Sequence, residues 1–388
     1  MSPPTARRAQ EIEAFEVMDV LSRAHALEAA GRHVVHMEIG EPDFGAPEPV
    51  VEAGVRALRE GRTAYTATLG LPSLRRAIAG HYETRFKTKV DEKRIAITSG
   101  ASGGLLTVAA LYVNPGDEVL VPDPGYPGYR HFVRAFEGVA RALAVSPEDS
   151  FQPTAAMVEK AWTQKTRGVL LGSPSNPTGT LIDPLELRKI AFFVEKRNGV
   201  LFVDEIYQGL TYGAEPSTAL GLPGNVVVIN SFSKYFCMTG WRLGWVVLPE
   251  ASVREFEKLA QHLFISAPSA AQHAALAAFL PESIAILESR RNEFALRRDL
   301  IVPELKKAGL AIPAEPHGAF YAYADCGGDA KRFCLELLNQ EAVAATPGID
   351  FGANGTGHCV RFAYTRPRPE LEDAAARIRR FAASWRAA

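Results

Sequence analysis

Short apolar runs alternate with helical segments between about residue 94 and residue 247. Each apolar run is four or five residues long, a length typical of a buried strand. The predicted strands are Arg94–Thr98, Glu118–Val121, Gly168–Leu171, Val200–Val203, Val226–Ile229 and Leu243–Val247. Between them, Ala101–Val113 and Pro184–Lys196 predict helices. Because strands and helices alternate, we expect an α/β fold with a mostly parallel sheet sandwiched by helices.

The residues before this region predict an arm, a strand and two helices. Residues 1 to about 15 contain early prolines and show poor periodicity, which indicates an arm. Apolar residues then recur at roughly helical spacing over residues 15–31, and Val34–Ile39 predicts a short strand. A second helix is expected within residues 70–86, with Pro72 in its first turn.

After about residue 275 the chain becomes helical and then returns to strands. Ala319–Tyr323 and His358–Phe362 predict two strands of a smaller domain. A chain of 388 residues is long for one hydrophobic core and favours about two domains. We therefore expect an arm and part of a small domain over residues 1–44, a large domain over 45–275 and a small C-terminal α+β domain over 276–388.

Composition and charge narrow the class of partner. Hydrophobic residues make up 47% of the chain and charged residues 22%, as in an ordinary soluble globular protein. The formal net charge is −1, so no strong attraction to nucleic acid or to an anionic membrane is expected. No segment approaches the ~18 unbroken apolar residues of a membrane span. We expect neither a nucleic acid nor a membrane as a partner.

The amino terminus and the cysteines both favour a cytoplasmic location. Arg7 and Arg8 are followed by Glu11 and Glu13, where a secretory signal would carry an apolar stretch. The cysteines form no CxxC pair and have no metal-ligand spacing; they are Cys237, Cys326, Cys334 and Cys359. We expect reduced thiols and no metal site.

A cluster of polar residues around one lysine carries the strongest indication of chemistry. Lys234 follows the apolar run Val226–Ile229 by five residues. Ser231 and Ser233 precede this lysine, and Arg242 lies eight residues after it. A lysine that forms a Schiff base needs shelter from water, and a phosphate beside it needs hydroxyl and guanidinium donors. The combination indicates an enzyme that holds pyridoxal phosphate, although most single lysines are solvated surface groups.

Two other polar clusters follow predicted strands, where ligands of open parallel sheets gather. The run Gly100–Gly104 opens a helix, whose free N–H groups favour a phosphate, but an ordinary strand-to-helix turn looks the same. Asp204 ends the run Val200–Val203, where a carboxylate can pair with a pyridinium nitrogen. Tyr207 can donate to a ring oxygen. A capping carboxylate and a packed ring are the alternatives for these two residues.

Several single residues are ambiguous by themselves. Asn176 lies in a rigid turn after a third strand, and its amide can bind a ligand oxygen, as a plain turn also could. Arg361 alone predicts a structural ion pair. Tyr126 fits a ring-stacking aromatic or a packed loop residue equally well. Tyr65 and Gly40 carry no signal of their own.

Together these motifs resemble those of fold-type I pyridoxal-phosphate enzymes, specifically the class I and II aminotransferases of the aspartate aminotransferase superfamily. The resemblance covers nearly the whole chain, from Gly40 to Arg361. Its most specific parts are Ser173–Gly179, the pair Asp204 and Tyr207, and Ser231–Arg242. The resemblance implies a large cofactor-binding domain with a mostly parallel sheet and a smaller α+β domain.

The resemblance implies a role for each residue toward pyridoxal 5′-phosphate. It implies that Lys234 binds the cofactor as a Schiff base and that Asp204 pairs with the pyridine nitrogen. Tyr207 and Asn176 match residues that bind the ring oxygen, and Tyr126 matches an aromatic that stacks on the ring. The residues that match the phosphate site are Gly100, Ala101, Ser102, Ser231, Ser233 and Arg242.

The resemblance also implies how substrates bind. Arg361 matches the arginine that grips the substrate α-carboxylate, with Asn176 beside it and Gly40 as a backbone contact. Tyr65 matches a tyrosine that reaches the phosphate of a neighbouring subunit, which implies a homodimer with shared active sites. The implied reaction moves an amino group between an L-amino acid and a 2-oxo acid by a ping-pong mechanism, with Lys234 as the base.

Two other functions remain open from the sequence alone. A C–S lyase or related elimination enzyme, or a cyclising synthase, would keep the cofactor and change the reaction, since a fold does not fix its chemistry. The amino donor is also open, because no second arginine dedicated to an acidic side chain can be identified. A ligand-sensing regulator would need a DNA-binding segment, and residues 1–40 show neither a basic stripe nor an adequate helix-turn-helix.

Overall fold

A computed structural model describes residues 3–385 of the chain. Within these residues the strands are β1 (Val35–His36), β2 (Ile95–Thr98), β3 (Glu118–Asp123), β4 (Val139–Ala144), β5 (Thr166–Gly172), β6 (Val200–Asp204), β7 (Asn225–Ser231), β8 (Gly244–Val247), β9 (Tyr321–Asp325), β10 (Val343–Ala344), β11 (Thr346–Pro347) and β12 (Cys359–Ala363). The helices are α1 (Arg7–Glu11), α2 (Glu16–Ala29), α3 (Glu48–Arg59), α4 (Pro72–Phe86), α5 (Gly100–Tyr112), α6 (Gly128–Ala135), α7 (Ala155–Ala161), α8 (Pro184–Lys196), α9 (Val253–Phe264), α10 (Ser269–Ala275), α11 (Pro281–Lys307), α12 (Ala330–Glu341) and α13 (Arg368–Trp385).

A seven-stranded sheet with the order β2-β8-β7-β6-β5-β3-β4 forms the centre of the molecule. The strands β4, β3, β5, β6 and β7 pair in parallel. Only β8 runs antiparallel to both of its neighbours, β2 and β7. The expected mostly parallel sheet between helices is therefore confirmed.

The central strands are buried on both faces, because helices cover each side of the sheet. Along β7, Val227 and Ile229 face one apolar cluster, which includes Val108 of α5. Val226 and Val228 face the other cluster, which also contains residues of α8. Neighbouring side chains of a strand point to opposite faces, so a continuous apolar run is what this position requires.

The predicted elements match the structure unevenly. The helix Pro184–Lys196 has the predicted bounds, and α5 begins one residue before the predicted Ala101. The predicted strand Val34–Ile39 is a strand only at Val35–His36. The edge strand β4 was not predicted, because its side chains are mostly accessible and make no apolar run. The N-terminal arm includes the short helix α1.

The smaller sheet has the order β11-β12-β9 and is antiparallel throughout. Strand β1 pairs in parallel with β10, so residues near the amino terminus join the C-terminal part of the fold. The division into 1–44, 45–275 and 276–388 stays a prediction, and residues 1–2 and 386–388 lie outside the described part.

Among residues 3–385, no single helix is both long and apolar enough to cross a membrane; only the bent pair Ser269–Phe279 and Pro281–Lys307 passes that test jointly, with a bend of 83°.

Candidate active site

One cavity of about 280 Å³ is lined by twelve of the fourteen site residues that were predicted from the sequence. It lies beside the carboxyl ends of β6 and β7, where an open parallel sheet offers side chains from several strands. The nominated residues that line it are Gly40, Ala101, Ser102, Tyr126, Asn176, Asp204, Tyr207, Ser231, Ser233, Lys234, Arg242 and Arg361. Gly100 does not line the cavity itself but lies against Arg242, which does. Tyr65 lies outside the cavity.

Lys234 lies just past β7 and lines the cavity. The amine donates to the Gly40 carbonyl at 2.5 Å and lies 6.0 Å from the centre of the Tyr207 ring. Burial lowers the pKa of Lys234 to about 8, and the nearby guanidinium groups of Arg361 and Arg242 act in the same direction. A large share of this amine is therefore neutral in mildly alkaline water, which a nucleophile or base requires.

Asp204 ends β6 and directs a buried carboxyl into the cavity. The carboxyl accepts a hydrogen bond from the Tyr129 hydroxyl at 2.9 Å and one from the Ile206 N–H at 3.1 Å. Burial raises the pKa of Asp204 to about 6. A cationic ring nitrogen placed against it would favour the carboxylate form. Tyr129 was not predicted as a site residue, although it lies only three residues after Tyr126.

Two tyrosines form the next part of the wall. The hydroxyl oxygens of Tyr207 and Tyr321 are 2.7 Å apart, and both side chains are buried. Burial raises the pKa of each hydroxyl, so each stays a neutral donor. Tyr321 was predicted only as a strand residue. A buried aromatic in a strand looks like core from the sequence, and only its partner in space distinguishes it.

Arg361 points from β12 into the cavity and is held from several sides. Its Nη1 donates to Asn176 Oδ1 at 2.9 Å, and its Nη2 donates to the Glu38 carbonyl at 2.5 Å. Its guanidinium lies 4.5 Å from the centre of the Tyr321 ring and 4.8 Å from that of Phe351. These contacts fix a planar cation at the wall, in the form that binds a carboxylate through two hydrogen bonds.

An anion site lies where α5 begins. The side chain of its N-cap residue, Ser99, makes no capping hydrogen bond to any described residue. The hydroxyls of Ser231 and Ser233 lie 2.9 Å apart, and Arg242 Nη1 lies 3.5 Å from the latter. Backbone N–H groups, hydroxyls and a guanidinium therefore converge on one end of the cavity, as phosphate binding requires.

Gly100 explains how the cation and the helix end come so close. Its φ is +72°, and a Cβ at this position would lie 2.6 Å from Arg242 Nη2. The absence of a side chain thus leaves the place that the guanidinium fills. A phosphate cradle, a buried carboxyl for a ring nitrogen and a partly buried lysine make the donor set fit pyridoxal phosphate, the cofactor that the sequence predicts.

Tyr65 is not part of this cavity within one chain. Its side chain is 77% exposed. The residues on either side are held by α10, because Ser269 donates to the Ala64 backbone carbonyl at 2.6 Å and Gln272 donates to the Thr66 side-chain hydroxyl at 3.0 Å. A fixed loop therefore presents an aromatic ring to the surroundings.

Part of the cavity wall was not predicted from the sequence. Phe15 and Val17, at the start of α2, line it together with Asp350 and Phe351 from the 3-10 turn Gly348–Phe351. The predicted helix over residues 15–31 placed the first two on a helix, but nothing in their spacing indicated a site.

The chain is similar to known proteins over nearly its full length. Residues 32–378 match the family model "Aminotransferase class I and II". The (5-formylfuran-3-yl)methyl phosphate transaminase of Methanocaldococcus jannaschii is 37% identical over 379 residues, which are 97% of this chain and 99% of the relative. The valine–pyruvate aminotransferase of Mycobacterium tuberculosis is 38% identical over 369 residues, which are 94% and 95% of the two chains.

Solved structures agree with these matches. A crystal structure of an aminotransferase from Mycobacterium tuberculosis superposes with a TM-score of 0.94 at 38% identity, covering 99% of this chain and 100% of that one. The aspartate aminotransferase of Thermus thermophilus with maleate gives a TM-score of 0.92 at 31% identity, covering 98% and 100%.

Proposed function

Given that this chain belongs to the class I and II aminotransferases and is itself an aminotransferase, we propose that it works with pyridoxal 5′-phosphate held in the cavity around Lys234. The observation that supports the cofactor is the convergence of Lys234, Asp204 and Arg242 on one cavity. A lysine, a carboxyl and a phosphate-binding cation at its ends are the groups that this cofactor needs.

Different residues of the chain bind different parts of the cofactor. When bound, pyridoxal phosphate supplies an aldehyde that takes up the amino group and a ring that accepts the electron pair of the Cα–H bond. Ser231, Ser233 and Arg242 bind the phosphate with the N–H groups of α5. Asp204 holds a proton on the ring nitrogen, and Tyr129 orients that carboxyl through its hydroxyl.

Lys234 moves the proton. Its pKa of about 8 keeps a neutral fraction at Nζ, which would take a proton from the substrate Cα and deliver it to C4′ of the bound cofactor. Tyr207 donates to the oxygen of the cofactor ring. The centre of the Tyr207 ring lies 6.0 Å from Lys234 Nζ.

Arg361 orients the amino acid. A substrate α-carboxylate bound to this guanidinium fixes two atoms of the substrate, and Asn176 limits the rotation of the cation through Oδ1. The same cation serves the amino acid and the 2-oxo acid, since both carry this carboxylate. One site used by both substrates in turn gives ping-pong kinetics.

The working unit in this proposal is a homodimer in the cytoplasm. The exposed ring of Tyr65 on a fixed loop supports a site shared between subunits. All four cysteines are buried and unpaired, which supports a reducing compartment.

The test is product analysis with a panel of amino acids and either 2-oxoglutarate or pyruvate as acceptor. We expect one new 2-oxo acid for each new amino acid, and no product when the acceptor is omitted. Lys234→Ala should lose at least ~10³-fold in turnover. Lys89→Ala, whose side chain is 88% exposed, is the control and should match the wild type. Release of ammonia and pyruvate without an acceptor would replace this proposal by an elimination reaction.

A further inference from the structure

The start of α2 covers one side of the cavity with apolar side chains. Phe15 and Val17 both line the cavity that contains Lys234 and Arg361. The Phe15 ring lies nearly parallel to that of Tyr126, with 6.5 Å between centroids and 24° between planes. An apolar wall that belongs to the amino-terminal segment therefore faces the place where substrate reacts.

Asp350 holds this segment in place. Its Oδ1 accepts the N–H of Glu16 at 3.1 Å, and the N–H of Val17 faces the same carboxyl. These are the first two residues of α2, so a carboxylate lies where the helix has free N–H groups and its positive end. The Phe15 ring thus depends for its position on a residue more than three hundred positions later in the chain.

Arg130 adds a second tether. Its Nη2 donates to the backbone carbonyl of Asp350 at 3.1 Å and lies 3.8 Å from the Glu13 carboxylate. The guanidinium therefore connects α6, the turn Gly348–Phe351 and the residues just before α2. The wall is part of the folded site and is anchored on two sides.

The geometry decides which part of a substrate meets this wall. When the α-carboxylate binds Arg361 and the amino group points to Lys234, the side chain of the amino acid faces the rest of the cavity. That remainder is lined by Phe15, Val17 and Phe351, and the Asp350 carboxyl lies beside them. Apolar surface favours an apolar side chain, and a carboxyl at the same wall disfavours a second carboxylate.

We propose that the amino donor carries an uncharged apolar side chain, that Phe15 selects it by direct contact, and that Asp350 is the positioning residue that holds Phe15 there. The inference rests on the proposed function. The three cations among the described lining residues are Lys234, Arg242 and Arg361, and each already has a role in that function.

The first test compares donors with the holoenzyme and a single acceptor, pyruvate. We expect kcat/KM for leucine to exceed that for aspartate by at least about tenfold, the discrimination that one or two buried methylene groups provide. Phe15→Ala should lower the leucine-to-alanine ratio of kcat/KM by about tenfold. Phe192→Ala is the matched control, since this phenylalanine is 43% exposed on α8 against 38% for Phe15, and it should leave the ratio unchanged.

Asp350 has its own readout. Asp350→Ala should lower the leucine-to-alanine ratio in the same way as Phe15→Ala, whereas Asp350→Asn keeps an acceptor oxygen and should retain most of the ratio. A purely structural role would lower both donors together and leave the ratio where it was, and that result would remove Asp350 from the proposal.

The second test needs no turnover. Calorimetric titration of the holoenzyme should give at least about tenfold tighter binding of 4-methylpentanoate than of succinate, and Phe15→Ala should abolish the difference. Equal or tighter binding of succinate, or an aspartate kcat/KM equal to that of leucine, would overturn the apolar assignment even if Phe15→Ala failed to fold. Failure of all transamination with intact 4-methylpentanoate binding would instead count against the proposed function.

Discussion

At the scale of single residues, burial changes the protonation of the two central groups in opposite directions. The pKa of Lys234 falls to about 8, and that of Asp204 rises to about 6. In both cases the low dielectric of the cavity disfavours the charged form, so the two groups are closer in pKa than they would be in water. The cavity thus gives the amine the character of a base, while the carboxyl is readily stabilised as an anion by a cationic ring.

Another titrating cluster lies behind Arg361, at β1. His36 Nδ1 lies 2.7 Å from Glu38 Oε1, and His36 Nε2 lies 3.1 Å from Glu28 Oε1. Hydrogen bonding to Glu38 is the main cause that raises the pKa of His36. The backbone carbonyl of Glu38 accepts from Arg361 Nη2, so this cluster supports the substrate-binding cation from behind.

We predict that this histidine makes stability depend on pH. The folded-state pKa is above the unfolded value of 6.5, so the stabilisation is complete below pH 6.5 and is lost as pH rises through the folded pKa. Thermal midpoints of the wild type and His36→Gln should differ by roughly 1–2 °C at pH 5.5, which corresponds to about 1 kcal/mol. The difference should shrink at pH 9. A difference that grows with pH would contradict the assignment.

At the scale of elements, the turn between β2 and α5 sets the geometry of the anion site. We predict that Gly100→Ala weakens binding of pyridoxal 5′-phosphate by at least about tenfold, because the new methyl group would displace the Arg242 guanidinium. Absorbance titration measures this affinity. Gly116→Ala is the matched control, since Gly116 also has a positive φ, +80°, and a Cβ there meets nothing within 4 Å. Equal loss of affinity in the two variants would show that backbone strain alone is responsible.

The elements that sequence predicts well are those whose burial is uniform. Strands β6 and β7 are buried along nearly their whole length, so their apolar runs stand out. Strand β4 lies at the edge of the sheet and has mixed exposure, which hides it. The antiparallel direction of β8 depends on the path of the chain after β7, and its apolar run alone does not predict that direction.

The site could be predicted in part for a related reason. Asp204 ends one strand of the central sheet, and Lys234 and Asn176 follow two others, so their common location follows from topology. Phe15 and Asp350 meet only because the amino-terminal segment returns to a turn near the carboxyl end of the chain. Contacts of that separation leave no local pattern, and spacing alone could not have found them.

At the scale of the whole molecule, the proposed homodimer predicts that two chains share each site. Tyr65 lies between two residues that α10 holds, and its ring is exposed, so we expect a second chain to supply its partner. We predict that the protein sediments as a dimer, at twice the chain mass of 42.1 kDa.

A subunit-mixing experiment follows from this arrangement. Lys234→Ala and Tyr65→Ala should each have low activity alone. Unfolded together and refolded, they should regain roughly a quarter of wild-type activity, because half of the dimers are mixed and each mixed dimer has one complete site of two. No recovery, with mixed dimers verified by mass, would place Tyr65 outside the site of the neighbouring chain.

The most direct test of the account is the chemical identity of the group that holds the cofactor. The purified protein is incubated with pyridoxal 5′-phosphate, reduced with borohydride and digested, and the modified peptide is identified by mass spectrometry. We predict one stoichiometric phosphopyridoxyl group, located on Lys234, and none in Lys234→Ala. Modification spread over exposed lysines, or a protein that stays unmodified, would contradict the assignment of Lys234 as the residue that binds the cofactor.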